Sequence, residues 1–495
     1  MLVKIMSREL EKRLDNAESY EEWSAVAQQY DERNGLVKWK QTERSILYDN
    51  AAIRRRLDHL SVLRRANDNQ GLLFTLNEGI HGNLGGMGKS GLYQKAKFGT
   101  KQLITEYVDE VTASLEHLAK PKVAGVTRDE KLDFFERAKI CFGNSAFMMS
   151  GSGIYLFFHL GVVKALWEQG LIPEVISGSS GGAYIAALVG SRPDADLGEL
   201  FEPGFMREES HMREILDKAS PIKDEQISVR ELHASVERLI PDLTFEEAYE
   251  VSGKRINISI APAEKHQKSR LLNAITSPNV MLREAVIASC SVPGVFPPVV
   301  LAAKDVNGDR VPYLPSRKWV DGSVSDDLPK KRLSRLYGVN HFIVSQTNPL
   351  VLPFISAEKD SDTVLSMLTE TSLKTAKDWG LVMSNLIRRP LREDSRLSKL
   401  INAYISIVSQ TYTGDINILP KDRILNPVTA LRARDQGELD RLVLSGERSA
   451  WPLLEKIRIQ TKISRKLNEI TQRLHPKKPR KGTSPKGNLK VVAKQ

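Results

Sequence analysis

The sequence predicts an α/β fold: a three-layer α/β/α core with a mostly parallel sheet, preceded by a helical N-terminal domain. Three observations carry this. Up to about residue 143, apolar residues recur at helical spacing among charges, with no clear strand run. From Asn144 onward, short apolar strands alternate with helices, the pattern of a parallel sheet covered on its faces. The 495 residues, 41% hydrophobic and 27% charged, suffice for the cores of two or three domains.

The elements follow in order. Ser19-Tyr20-Glu21-Glu22-Trp23 reads as a helix start, with Ser19 as cap and Glu22 closing a capping box. Residues 36–63 continue at helical spacing. Residues 81–91 (HGNLGGMGKSG) hold five glycines. They lack the G-x-x-x-x-G-K-[ST] spacing and no strand precedes them, so they read as a connector rather than a phosphate loop. Residues 100–118 return to helix. Strands are expected at 146–150, 174–177, 256–261, 319–320 and 342–345, with helices at 154–169 and 181–189. From about residue 360 the chain reads as helical again. The expected division is 1–143 helical, 144–350 the α/β core, 351–474 helical, and 475–495 a basic tail.

The formal charge is +11, and the tail concentrates it: seven Lys or Arg and no acid in 475–495. Such tails are ordinarily solvated and disordered. The functional alternative is attraction to anionic lipid headgroups, about 1 kcal/mol per basic residue at the surface. No recognition motif accompanies the charge, so nucleic acid is not expected.

The opening MLVKIMSRELEKRLDN has no apolar core of signal-peptide length. Residues 146–163 are 18 positions without Asp, Glu, Lys or Arg, the least a membrane span needs. Gly151-Ser152-Gly153 interrupts them and His159 would lie in the bilayer, so strand, turn and helix is the reading. Two cysteines, Cys141 and Cys290, fit a reducing compartment. Without C-x-x-C or H-E-x-x-H, neither metal nor cofactor is expected.

The chemistry gathers around VISGSSGGAY (175–184), which contains G-x-S-x-G centred on Ser180. Taken alone, serine and glycine also cluster in ordinary loops. Here a strand precedes and a helix follows, the setting of a nucleophile elbow. Gly151-Ser152-Gly153 opens a helix one βα unit earlier, so parallel geometry brings its amides to the same sheet edge. Its rival reading, a dinucleotide fingerprint, lacks the third glycine, since Leu156 stands there. Asp321 follows a short strand and precedes a glycine. It is a candidate base or a turn-capping Asp. A triad of Ser180, Asp321 and His341 competes, but His341 starts its strand and so belongs at the opposite edge.

Together G-S-G (151–153), H-L-G-V-V-K-A-L (159–166), G-S-S-G-G (178–182), D-G-S (321–323) and ASCSVPGVFPP (288–298) resemble the patatin-like phospholipase family. FGTKQLITEYVDEV (98–111), LLNAITSPNVMLREAV (271–286), NHFIVSQTNP (340–349) and TYTGDINILP (411–420) are similar to its subgroup of fungal and plant triacylglycerol lipases, which carries an extra helical domain before the core. The resemblance covers about residues 15–430. It implies a patatin-like core and a serine lipid acyl hydrolase acting through a Ser–Asp dyad. Ser180 would be the nucleophile, Asp321 the base, and the amides of Gly151, Ser152 and Gly153 the oxyanion hole. That loop usually has three glycines; here Ser152 stands in the middle. The implied partners are a lipid ester and a membrane or lipid-droplet surface, touched peripherally from the cytoplasm. A lipid acyltransferase would share these residues, and a catalytically weak lipid-binding protein is the other alternative.

Overall fold

The computed structural model describes residues 2–80, 82–202, 229–264, 267–293, 296–349, 351–355, 412–421 and 436–475. Most of the expected 351–474 region, the tail beyond His475, and Gly294-Val295 of the proline-rich run lie outside the described residues.

The N-terminal part is helical: α1 (Leu2–Asn16), α2 (Tyr20–Arg33), α3 (Leu36–Gln41), α4 (Asn50–Arg65), α5 (Asn69–Glu78), α6 (Gln102–Leu118) and α7 (Arg128–Phe142). Ser19 caps α2 by accepting the Glu22 N–H at 3.2 Å. The Glu22 carboxylate returns to the Glu18 N–H at 3.0 Å instead of Ser19, so the capping box closes one residue early. The stretch 36–63, read at helical spacing, divides into α3 and α4, and Asp49 caps α4 by accepting the Ala52 N–H at 2.9 Å. A side chain that satisfies orphan amides starts a new helix where it stands. The apolar stripe Ile104, Tyr107, Val108, Val111, Leu115 and Leu118 of α6 is buried against Ile53, Leu57 and Leu60 of α4.

Asn144 begins the sheet. Its strands are β1 (Asn144–Met149), β2 (Val175–Gly178), β3 (Arg255–Pro262), β4 (Arg270–Asn273), β7 (Trp319–Asp321), β8 (Val339–Ser345) and β9 (Ile416–Ile418). β5 (Leu301–Lys304) and β6 (Arg310–Tyr313) form a separate hairpin. The order is β4-β3-β2-β1-β8-β9, with β7 also on β3. β2, β1, β8, β9 and β3 are parallel, whereas β4 and β7 run antiparallel to β3. Both faces are covered, as strand alternation requires. Ala146 and Met148 face Leu333 and Tyr337 of helix Lys330–Tyr337. Phe147 and Met149 face α8 (Leu156–Glu168) and α9 (Gly181–Gly190). The three-layer α/β arrangement is therefore present.

The last described helix, α10 (Gln436–Leu474), joins two cores. Trp451, Leu454 and Ile457 pack in the cluster around the sheet. Ile459, Ile463, Leu467 and Ile470 pack against the α6 and α7 side chains. Among the described residues no helix is long and apolar enough to cross a membrane.

Candidate active site

β2 ends at Gly178 and α9 begins at Gly181, leaving Ser180 on the turn between them. Ser180 has φ 51° and ψ −124°, a positive φ that a serine avoids. Such a residue costs about 1–3 kcal/mol and persists only where its surroundings enforce it. Two contacts do so. The Ser180 N–H donates to Ser289 Oγ at 2.9 Å, and Ser289 in turn donates to the Ser259 carbonyl at 2.8 Å. A Cβ on residue 182 would sit 2.4 Å from the Met149 carbonyl oxygen, so only glycine lets the elbow close on β1. Ser289 lies in the ASCSVPGVFPP run (288–298), one of the segments that carry the family resemblance. Nothing local in that run signals that its serine clamps an elbow 109 residues away.

Strand pairing then brings in the acid. Ile260 is bridged both by Arg270 of β4 and by Asp321 of β7. A strand residue has one neighbour on each side, so β7 lies on the side of β3 that β2 occupies. β2 stops at Gly178, opposite Ile258. β7 takes over two residues later, and its last residue, Asp321, arrives beside the elbow. Its carboxylate is buried and accepts the Ser323 N–H at 2.7 Å. Burial pushes its pKa up to about 6, while hydrogen bonds from Ser323 and from the Ser180 hydroxyl pull the other way. A carboxylate in this range is a far better proton acceptor at neutral pH than an ordinary Asp.

The loop Gly151-Ser152-Gly153 lies between β1 and α8, and here one expectation is corrected. The Gly151 N–H is not open to a ligand: it donates to Asp327 Oδ1 at 2.8 Å in a buried contact. Among the described residues no partner engages the N–H groups of Ser152 or Gly153. Ser152 itself is buried, and its Oγ lies 2.2 Å from where a Cβ on residue 181 would be. The side chain that replaces the middle glycine is thus housed over the bare face of Gly181. The bulky Ile154 and Tyr155 turn into the core behind the loop.

Asp327 is a site residue that sequence reading missed. Besides Gly151, its Oδ2 accepts from Asn348 Nδ2 at 3.4 Å, and its backbone carbonyl accepts from Ser179 Oγ at 3.1 Å. Burial pushes its pKa to about 7, and the charges of Asp321 and Asp326 add to the rise. The only local signal was the acid pair Asp326-Asp327, five and six residues after Asp321.

The two histidines stand apart from this chemistry. His341 pairs in register with Ser145 at the start of β1, whereas Met149 pairs with Ser345 at the other end. Its Nδ1 meets Ser145 Oγ and its Nε2 meets Gln460 Oε1, both at 3.0 Å. A triad through His341 is therefore not assembled. His159 is buried, with Nδ1 at 2.7 Å from Ser345 Oγ and Nε2 at 3.1 Å from the Ser150 carbonyl. Burial lowers its pKa to about 3, so it is neutral and ties the end of β1 to β8.

Residues 147–332 match the family described as patatin-like phospholipase, and residues 2–139 match a domain of unknown function, DUF3336. Triacylglycerol lipase ptl3 of Schizosaccharomyces pombe is 33% identical over 428 residues, covering 83% of this chain and 86% of its own. A patatin-like phospholipase domain-containing protein of Cryptococcus neoformans, CNBE2340, is 31% identical over 484 residues, covering 92% and 54% respectively. Triacylglycerol lipase SDP1L of Arabidopsis thaliana is 30% identical over 479 residues, covering 91% and 57%. The chain spans about half the length of several curated relatives it matches.

Proposed function

We propose that this chain, which belongs to the patatin-like phospholipase family, hydrolyses carboxylic esters of lipids with Ser180 as nucleophile and Asp321 as base. The observation that carries the proposal is the strained Ser180 on its elbow beside Asp321, a buried carboxylate whose pKa burial pushes up to about 6. The Ser180 hydroxyl gives its proton to Asp321 as Oγ adds to the acyl carbonyl. The oxyanion is met by the Ser152 and Gly153 amides and by the N-terminal end of α9. Collapse expels the alcohol, which takes the proton back from Asp321. Water then repeats the sequence on the acyl-enzyme, delivering its proton to Asp321 and its hydroxide to the acyl carbon. Ser180 departs with the proton, and the fatty acid is released.

Relatives named triacylglycerol lipase favour neutral glycerides over phospholipids as substrate. Such esters sit in a droplet or membrane surface, so peripheral docking from the cytoplasm, with help from the basic tail, belongs to the same proposal. So does the division into a helical region to residue 143, a catalytic region to 350, a helical region to 474 and a tail.

The test is a fluorophosphonate label together with hydrolysis of triacylglycerol and phospholipid panels by wild type and Ser180→Ala. A Ser180-dependent adduct with glyceride hydrolysis is expected. Folded protein that takes no label would favour a lipid-binding role. Acyl transfer to an added alcohol acceptor in preference to water would favour a transferase.

A further inference from the structure

Asp327 is tied to both turns that build the site. Its carboxylate takes the Gly151 N–H of the oxyanion loop at 2.8 Å, and its carbonyl takes the hydroxyl of Ser179, the residue before the nucleophile. Asn348 steadies the second carboxylate oxygen at 3.4 Å. The loop's other ties are to carbonyls, Ser150 Oγ donating to the Gly151 carbonyl at 3.2 Å and the Tyr155 N–H to the Ser152 carbonyl at 3.1 Å, so Asp327 is the partner that fixes an amide. Two of its three residues are glycines, which populate many backbone conformations. A Cβ on Gly151 would stand 3.0 Å from Ser323 Cβ, so no side chain could be added there to hold the loop without displacing Ser323. A hydrogen bond to a buried carboxyl oxygen fixes the Gly151 peptide plane, and with it the start of the two peptides that follow.

We infer that Asp327 is a positioning residue: it turns the Gly151 amide away from the substrate and thereby aims the Ser152 and Gly153 amides at the oxyanion formed on Ser180. This rests on the hydrolase reading above. The requirement is an acceptor oxygen, which the carboxylate and the neutral acid both present, so protonation leaves the anchor intact. Asparagine at 327 keeps that oxygen; alanine removes it.

The experiment compares wild type, Asp327→Ala and Asp327→Asn, with Ser180→Ala as reference. It uses kcat and KM on soluble p-nitrophenyl butyrate and amide hydrogen exchange of residues 150–154. Asp327→Ala is expected to lose kcat by about 100-fold with KM changed by less than about twofold, because a misplacement near 1 Å costs on that order. Exchange at Gly151 should quicken in the same protein. Asp327→Asn should keep kcat within about fivefold of wild type and retain the protection. Folded Asp327→Ala with unchanged kcat overturns the inference, as does Asp327→Asn no better than alanine. Should the alanine variant not fold, Asp327→Asn decides: activity as low as that of Ser180→Ala overturns it. Should wild type neither hydrolyse the ester nor take a fluorophosphonate label, the hydrolase reading falls. Exchange at Gly151 then decides the anchor alone.

Discussion

The two ends of the sheet hold similar residue types and treat them in opposite ways. At the C-terminal end of β1 and β2, Asp321 and Asp327 are buried and met by amide and hydroxyl donors. Their pKa values rise to about 6 and about 7. At the N-terminal end a hollow of about 400 Å³ is lined by Lys139, Glu174, Arg255 and Arg465. There the one acid, Glu174, is met by the Arg255 guanidinium at 2.8 Å. Among the described residues, the acids at the active-site end have no such cation against them; buried and met by neutral donors, they become better bases than an ordinary carboxylate. This hollow is therefore not where the chemistry is expected. The other end has the strained serine, the activated acid and, among the described residues, the two unengaged amides.

The deepest test of this contrast is to remove the chemistry from one end. Ser180→Ala and Asp321→Asn should each reduce ester hydrolysis by roughly 1,000-fold or more, and Ser180→Ala should abolish the fluorophosphonate adduct. Activity surviving Asp321→Asn would move the base elsewhere. A second test adds a methyl group. Gly182→Ala meets backbone oxygens at 2.4 and 2.6 Å, and denaturant unfolding should show a loss of about 2–3 kcal/mol. Lys139→Ala in the opposite hollow should stay within about 0.5 kcal/mol.

The acids also set the pH response. Asp321 must be ionised to accept a proton, so kcat/KM should rise through about pH 6. At pH 5 it should be about a tenth of the plateau. Stability runs the other way. Both folded pKa values exceed the unfolded one of 3.8. Their contribution is thus fully present below pH 3.8, and it is lost as pH rises through about 6 and then 7. A thermal melt series should show that decline, and Asp327→Asn should blunt its upper part. The smallest effect is reserved for the far end. His341→Ala should leave hydrolysis within about twofold, and a loss as deep as that of Ser180→Ala would carry the base to the wrong edge.

Much of the site was legible because its signals are local. The strand, five small residues and helix around Ser180 define an elbow in themselves, and Asp321 stands at a strand end next to glycine. The fate of the Gly151 amide was not legible, since its acceptor lies 176 residues away. Strands β4 (RLLN), β5 (LAAK), β6 (RVPY) and β9 (INI) are too short to show a period. Their pairing is decided by neighbours that the sequence supplies from elsewhere. The break between α3 and α4 did have a local sign, Asp49, which helical spacing on both sides concealed.

The long helix α10 has a bearing on how the chain is made. Ile459 to Ile470 complete the core that α6 begins, roughly 340 residues downstream of Leu118. At about 5–20 residues per second, the ribosome delivers that segment some tens of seconds after the helices it must cover. Until then the nascent α4–α7 unit shows water the face it will later bury. Chaperone holding during synthesis, and aggregation of chains released before residue 436, are the consequences to look for in a cell-free translation reaction.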